Sequence, residues 1–170
     1  SFEDGIYRRD AELETNRNIR YHLADIPLPN GVLRVDKVSV PHPTVIRYGH
    51  YTLPLSDGQD ISILTSKKVK NATIISNGEY QLAMIPLYGW DKTFVTTTEG
   101  LHPVTNKCGL IMSEKNVENE SILITLSLWK KGKKSFTKKE LNPVKSLNVD
   151  ETTKTVTVVL NDKTTKVVKF

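Results

Sequence analysis

The stretch SILITLSLW, Ser121 to Trp129, decides the fold because apolar side chains occupy most of its positions. A strand with one face in water would carry polar residues at every second position. A nearly continuous apolar run of this length instead predicts a central strand that is covered on both faces. Its core-forming side chains are expected to be Ile122, Leu123, Ile124, Leu126 and Leu128.

The rest of the chain agrees with a sheet protein, because alternating apolar and polar residues recur from Gly31 onward. Short β-branched and aromatic runs are separated by turn signals, such as those at residues 56–58 and 76–78. The last run, KTVTVVL-NDK-TTKVVKF, is typical of a β-hairpin. The pattern predicts an all-β fold, an antiparallel β-sandwich of roughly nine to eleven short strands.

The chain is long enough for one buried core. At 170 residues, a domain is expected to bury roughly 70% of the surface that its unfolded chain exposes. Residues 1–30 are polar and are predicted as an irregular N-terminal arm, and residues 31–170 as the β-sandwich domain. The arm mixes arginines with acidic residues, which indicates ion pairs. It is expected to dock onto another domain, to remain free or to bind a ligand.

Composition argues against several classes of site. Cys108 is the only cysteine, so the chain has neither an internal disulfide nor a cysteine-based metal site. The four histidines have no partner at the spacings of a local metal motif, and we expect no metal and no cofactor. The alternative is a metal site assembled in space from His50, His102 and an aspartate. No apolar run approaches the roughly 20 residues of a membrane helix, so no membrane contact is expected.

The basic residues fall into two groups. All six arginines lie within the first 47 residues, and arginine is the better residue for bidentate contacts with carboxylates, sulfates and phosphates. Six lysines lie between Lys130 and Lys139. This segment is predicted as a solvated hairpin turn at a sheet edge, with a polyanionic glycan contact as an alternative. No nucleic-acid motif is visible, so nucleic acid is not expected as a partner.

The first candidate site is the stretch IRYGHYTLPL, which begins at Ile46. On a regular strand, Tyr48 and His50 would share one face with Thr52, and Arg47 and Tyr51 would share the other. Histidine accepts a proton near neutral pH and tyrosine can donate one, so His50, Tyr48 and Tyr51 are the candidate catalytic residues. The alternative is that these side chains only pack and form hydrogen bonds.

The second candidate site is LYGWDKTFVTTTEGLHPV, residues 87–104, in which aromatic side chains group around two glycines. Aromatic faces on loops stack against sugar rings, so Trp90, Tyr88 and His102 are predicted to form a glycan-stacking loop. Arg47 is predicted to contribute to a second polar surface. The alternative is a loop that folds over the core with Trp90 as an apolar plug.

The order of features resembles the β-rich, C-terminal region of heparinase II/III-like polysaccharide lyases. The likeness lies in the segments GIYRRDAELETNRNIRYHLADIPLPNG, VIRYGHYTLPL, LYGWDKTFVTTTEGLHP and SLWKKGKKSFTKKEL. It implies a periplasmic or extracellular part of an enzyme that cleaves acidic polysaccharide by β-elimination, in which tyrosine and histidine act as acid and base. The helical toroid of that family is absent, so this chain alone is not expected to be an active lyase.

The sequence therefore favours an accessory β-sandwich module of a bacterial carbohydrate-active protein, which binds a polysaccharide or braces a catalytic domain of the same parent chain. One alternative is a part of a polysaccharide lyase, with His50 as base and Tyr48 as acid. The other is a structural or assembly domain that docks through its N-terminal arm.

Overall fold

A computed structural model describes residues 1–13, 18–49, 51–65, 69–102 and 105–170. Of residues 13, 65, 99–102, 105 and 106 it describes only the backbone. The described residues form fifteen strands and one helical turn: β1 (Phe2–Glu3), β2 (Ile6–Leu13), β3 (Ile19–Leu28), β4 (Gly31–Ser39), β5 (Thr44–Tyr48), β6 (Thr52–Leu55), β7 (Ser62–Thr65), β8 (Thr73–Ser76), β9 (Tyr80–Tyr88), β10 (Lys92–His102), β11 (Thr105–Val117), β12 (Glu120–Lys131), α1 (Lys138–Leu141), β13 (Val144–Asp150), β14 (Thr155–Leu160) and β15 (Thr165–Lys169). No helix in this described part could span a membrane. The prediction of an all-β fold is confirmed.

The strands form three antiparallel sheets. The large sheet has eight strands in the order β1-β2-β3-β4-β12-β9-β8-β7. The second sheet has four strands, in which β10, β5 and β6 all pair with the long strand β11. The third sheet has three strands in the order β13-β14-β15.

Strand β12 lies in the interior of the large sheet, between β4 and β9. Ile122, Ile124, Leu126 and Leu128 alternate along it and belong to a core that also holds Val156 of the third sheet. Leu123 faces the other way, in a core that it shares with Ile46 and Val117 of the four-stranded sheet. The large sheet is thus covered on both faces, as the sequence of β12 predicts.

The prediction of an irregular arm over residues 1–30 is wrong for the described residues. Strands β2 and β3 pair antiparallel, and β3 continues into β4 through a tight turn that joins Leu28 to Gly31. Pro27 misled the prediction of an irregular arm, because proline interrupts most strands. Strand β2 begins at Ile6 and pairs β3 only as far as Asp25, so Pro27 lies where β3 has a free edge and a missing N–H group costs no ladder hydrogen bond.

The lysine-rich segment is also not a hairpin at a sheet edge. Strand β12 is interior, and the chain leaves it through Gly132 to the helical turn α1. Phe136 and Leu141 are buried in the core on the side of the third sheet. These two apolar anchors hold the segment across the sandwich and leave all of its lysines except Lys130 exposed.

The closing hairpin is confirmed, since β14 and β15 pair antiparallel around the turn at residues 161–164. The chain has more strands than the nine to eleven predicted. The additional strands are β1 to β3, the weakly alternating β13, and the division of one predicted strand into β5 and β6.

Candidate functional site

A cavity of about 290 Å³ opens between the large sheet and the four-stranded sheet. We call it the Asp36 cleft. The side chains that give it chemical character are Arg9 of β2, Tyr21 of β3, Arg34 and Asp36 of β4, Tyr48 of β5, and Trp90 of the β9–β10 connection. Its volume lies near the lower end of the ~300–1,000 Å³ range of small-molecule sites.

Strand alternation explains why Arg34 and Asp36 share the cleft. Residues two apart on a strand point to the same face. Leu33 and Val35 take the opposite face and enter the core beneath the third sheet. Val38 continues the row of Arg34 and Asp36 and packs against the four-stranded sheet. Strand β4 therefore turns a short polar row towards the four-stranded sheet and an apolar row towards the third sheet.

Asp36 is the deepest polar group of the cleft, with only 3% of its surface exposed. Its Oδ1 atom has no hydrogen-bond partner among the described residues. Burial is the main cause that raises the pKa of this carboxyl group to about 7, and Asp25 adds to the increase, while Arg34 and Arg9 oppose it. The cleft therefore contains a carboxyl group that titrates near neutral pH.

Arg34 is held by its neighbour on β3. Its Nε and Nη2 atoms donate to the two carboxylate oxygens of Asp25 at 2.5 and 2.6 Å. Both side chains are largely buried, and a bidentate pair of this kind is directional as well as charge-assisted. The guanidinium carbon of Arg34 also lies 5.0 Å from the ring centroid of Tyr48, within the range of a cation–π contact.

The rings of Tyr48 and Trp90 form one wall of the cleft. Their centroids are 6.3 Å apart and their planes differ by 19°, an offset-stacked arrangement. The Nε1 atom of Trp90 donates to Thr125 Oγ1 at 2.8 Å, which fixes the indole on the large sheet. Tyr48 of the first site predicted from the sequence and Trp90 of the second therefore stack on one another in the structure.

The predicted division of faces between residues 46 and 55 is wrong for Tyr51 and Thr52. Ile46 is buried and Tyr48 lines the cleft, but Leu53 and Leu55 are buried while Thr52 is exposed. Tyr48 pairs with Ser113 and Thr52 with Leu110, so three residues lie opposite two residues of β11. This extra residue is a bulge that reverses the alternation. His50 lies outside the described residues.

The side chain of Tyr51 lies beside Leu82, Met84 and Ile111, on the face of the four-stranded sheet that is turned towards the large sheet. Burial raises the pKa of its hydroxyl group, and the nearby Asp25 carboxylate raises it further, against the effect of Arg34. The hydroxyl group is therefore protonated at neutral pH, where it can donate a proton but does not act as a base. Tyr48 and Tyr51 both lie near Arg34.

Arg47 reaches the rim of the cleft, but its charge is engaged on the outer face of the four-stranded sheet. Its Nε atom donates to Glu114 Oε2 at 2.7 Å, and Lys92 contacts the other oxygen of the same carboxylate at 2.8 Å. The hydrogen bonds from Lys92 and Arg47 lower the pKa of Glu114. Arg47 is therefore part of an ion-pair group and is not directed into the cavity.

Tyr88 and Trp90 both line a depression of about 510 Å³ at the end of β9, but their polar ends point to different partners. The hydroxyl group of Tyr88 donates to Glu151, beside the third sheet, at 2.9 Å, and this hydrogen bond raises its pKa. The indole of Trp90 is bound to Thr125 and stacks on Tyr48. The side chain of His102 lies outside the described part of the structure.

Sequence reasoning missed Asp36 and Arg34 as site residues, and it considered Arg9 only as one of the arginines of the N-terminal arm. The available signal was the pair of charged residues inside the apolar strand GVLRVDKVSV, where Arg34 and Asp36 share a face. A charged residue that is buried in a strand needs a partner or a function. No group of three or more histidine, cysteine, aspartate or glutamate side chains in the described ranges could hold a metal ion.

Neither a family model nor a curated protein matches the sequence. Solved structures do match the fold. A chain described as heparinase III, the BT4657 gene product, superposes with a TM-score of 0.57 and 15% sequence identity. Its form with methylated lysines gives a TM-score of 0.55 and 14% identity. Each match covers 99% of this chain and 26% of the other chain.

The heparan sulfate lyase HepC from Pedobacter heparinus is also similar, with a TM-score of 0.46, 16% identity, and coverage of 96% of this chain and 28% of that chain. The chain thus spans about a quarter of the length of these structures. At this level of identity the likeness to heparinase III establishes the fold. The resemblance to the β-rich region of heparinase-type lyases is confirmed at that level.

Proposed function

We propose that this chain is an accessory β-sandwich module of a bacterial carbohydrate-active protein related to polysaccharide lyases. In this role it binds acidic polysaccharide and does not cleave it on its own. The observation that supports the proposal is the extent of the structural likeness, since nearly the whole chain matches about a quarter of a heparinase III chain. The same likeness supports a periplasmic or extracellular location, where such polymers are met.

The chemistry of the cleft is consistent with this role. Arginine guanidinium groups form charge-assisted hydrogen bonds with carboxylates and sulfates, and Arg9 and Arg34 both line the Asp36 cleft. The rings of Tyr48 and Trp90 lie in the same cavity and present apolar surface to a ligand. Cationic and aromatic groups are thus available together, as an acidic sugar requires.

A second candidate is a contribution to a lyase site that another domain completes. It is favoured by the contact between the Tyr48 ring and the Arg34 guanidinium group. β-Elimination needs a cation near the uronate carboxylate and groups that move protons. Tyr51 can donate a proton but is not a base, because its pKa is raised. The base would be His50, as the sequence suggests, or a residue of the domain that completes the site.

The test is binding of the purified chain to an array of acidic and neutral polysaccharides, with Trp90→Ala alongside and circular dichroism to verify its fold. Polyglutamate is the control for attraction of any polyanion to a chain of net charge +5. We expect retention on acidic polysaccharides, weakened in Trp90→Ala, and no retention on polyglutamate. Lack of binding to every polysaccharide would contradict the proposal and favour a bracing or docking domain.

The same polymers distinguish the two candidates. Lyase action on a uronate leaves an unsaturated product that absorbs in the near ultraviolet. An accessory module produces no such signal. A signal that His50→Ala abolishes, with the fold intact, would establish the lyase alternative instead.

A further inference from the structure

We infer that the Asp36 cleft is the subsite for one acidic sugar unit of the bound polysaccharide. The inference rests on the proposed glycan-binding function and assigns that function to the Asp36 cleft. The site differs from the loop over residues 87–104 that the sequence suggests, because Trp90 is the only residue among the described side chains of that loop that lines the cleft.

The floor of the cleft carries an unused acceptor. Asp36 Oδ1 is buried, and in the described part of the chain nothing donates a hydrogen bond to it. A buried acceptor without a donor costs roughly 1–3 kcal/mol, and more when it is charged. Asp36 lines the cavity, and a group in the cavity that donates a hydrogen bond to Oδ1, once the carboxyl group turns towards it, would remove this cost. Sugar hydroxyl groups are donors of this kind.

The mouth of the cleft carries an available cation. Arg9 is exposed and forms no ion pair with any of the described residues, although its charge acts on Asp36. Arg34 is already committed to Asp25 through two hydrogen bonds. The anionic group of a ligand therefore belongs at Arg9, where the guanidinium group can form bidentate hydrogen bonds with a carboxylate or a sulfate.

The wall between floor and mouth is aromatic. Tyr48 and Trp90 stack on one another, and the bond from Trp90 to Thr125 fixes the pair before any ligand arrives. A preformed wall lowers the entropy that binding must overcome. The cavity of about 290 Å³ is small, so we assign it one sugar ring and not a longer segment of polymer.

Other ligand classes fit less well. An ammonium group would suit Asp36 and the aromatic rings, but Arg9 and Arg34 line the same cavity and would repel it. A divalent metal needs more oxygen ligands than the described residues bring together here. A ligand with an anionic group at one end and hydroxyl groups at the other matches the charges from mouth to floor.

The test uses the tryptophan of the cleft as its reporter. The chain has two tryptophans, so Trp129→Phe leaves Trp90 as the single emitter. We propose to titrate this variant with a heparin-derived tetrasaccharide, and with maltotetraose as a neutral probe of equal length. We expect a saturable change in Trp90 emission with the acidic probe only. In the same background, Arg9→Ala should weaken binding about tenfold or more.

Arg20→Ala is the matched control, because Arg20 is an exposed arginine on the adjacent strand, paired with Glu12. It should leave the affinity within about twofold, because it removes the same charge outside the cleft. Asp36→Leu should also weaken binding while the fold is retained, since it removes the acceptor and leaves no buried charge.

The inference is wrong if Trp90 emission does not respond, if Arg9→Ala binds like Arg20→Ala, or if maltotetraose binds equally well. A parallel gel-retardation measurement on heparin distinguishes failure of the cleft as a subsite from failure of the proposed glycan-binding function. Retention without a Trp90 response overturns the cleft as the subsite and leaves the glycan-binding function standing. Absence of retention overturns both.

Discussion

Arg34 donates two short hydrogen bonds to Asp25 on the adjacent strand, while Asp36, two residues further along β4, has an Oδ1 atom with no donor in the described ranges. The guanidinium group of Arg34 is therefore directed to Asp25, which is more exposed than Asp36. The charges of Arg34 and Arg9 offset the burial of this carboxyl group only in part, and its pKa is raised to about 7. This arrangement places a carboxyl group with an unused acceptor among the residues that line the cleft.

The first prediction concerns the pH dependence of stability. The pKa of Asp36 in the folded chain lies above its usual value, so the folded state binds more protons than the unfolded state between about pH 4 and pH 7. The free energy of unfolding should therefore fall as the pH rises through this window. Asp36→Asn should be more stable than the parent chain at pH 8, by an amount of the order of 2 kcal/mol.

Urea unfolding at pH 5 and pH 8 measures this difference. The matched control is Asp57→Asn, which alters an exposed carboxyl group outside the cleft. If the gain in Asp36→Asn were the same at both pH values, the carboxyl group would not titrate in this range and the account of its burial would be wrong.

The second prediction concerns Gly89, which joins β9 to Trp90. Its φ angle is +81°, and a Cβ atom there would lie 2.2 Å from the carbonyl oxygen of Ile122. Gly89→Ala should therefore lower the free energy of unfolding by about 3 kcal/mol or more. Gly58→Ala, at φ +73° in open space, should cost only about 1–2 kcal/mol. Equal losses in thermal or urea unfolding would mean that the close approach to Ile122 is absent.

The third prediction concerns the turn after β12. Glu140 accepts from Lys130 at 2.7 Å and from the backbone N–H of Thr137 at 2.6 Å. These bonds, the one from Lys130 first, lower its pKa to about 2. Glu140→Gln should lose about 1–2 kcal/mol at pH 7. Because the folded pKa is depressed, this stabilisation should disappear as the pH falls from about 4.5 towards 2.

Acid titration followed by circular dichroism measures this loss. Glu118→Gln provides the comparison, since Glu118 is an exposed residue of the short turn between β11 and β12. A Glu140→Gln variant as stable as Glu118→Gln at pH 7 would show that the charge of Glu140 and its ion pair with Lys130 contribute nothing, since glutamine can still complete the capping box.

The fourth prediction concerns the aromatic wall. The offset-stacked rings of Tyr48 and Trp90 should be coupled by about 0.5–1.5 kcal/mol. A double-mutant cycle with Tyr48→Leu and Trp90→Leu, measured by urea unfolding, isolates the coupling free energy between the two rings. The loss in the double variant should be smaller than the sum of the single losses. Strict additivity would mean that the two rings do not interact.

The sequence predicts the fold best where a local pattern has a single interpretation. The apolar run of β12 and the closing hairpin are of this kind. The N-terminal strands were missed because β3 carries His22, Asp25 and Pro27, which suggest irregular structure until the pairing partners are known. Asp25 is paired with Arg34, and His22 lies 2.8 Å from Asp10 of β2. These pairings depend on strand register, which the local pattern does not contain.

The candidate site, like the N-terminal strands, depends on contacts between residues that are far apart in the sequence. Tyr48 and Trp90 are recognisable as unusual residues, but they are 42 positions apart in the sequence, and only the stacking of two sheets brings them together. The bulge between Tyr48 and Thr52 reverses the alternation on which the face assignment relied. Arg9 and Asp36 enter the cleft because β2, β3 and β4 are adjacent strands.

The most direct test of the account is calorimetric titration of the purified chain with a heparin-derived oligosaccharide, repeated with Trp90→Ala after its fold has been verified. We expect saturable binding to the parent chain that weakens at least tenfold in the variant. Absence of heat and of saturation with the parent chain, or equal affinity of the variant, would contradict the claim that this module binds acidic polysaccharide through its aromatic wall.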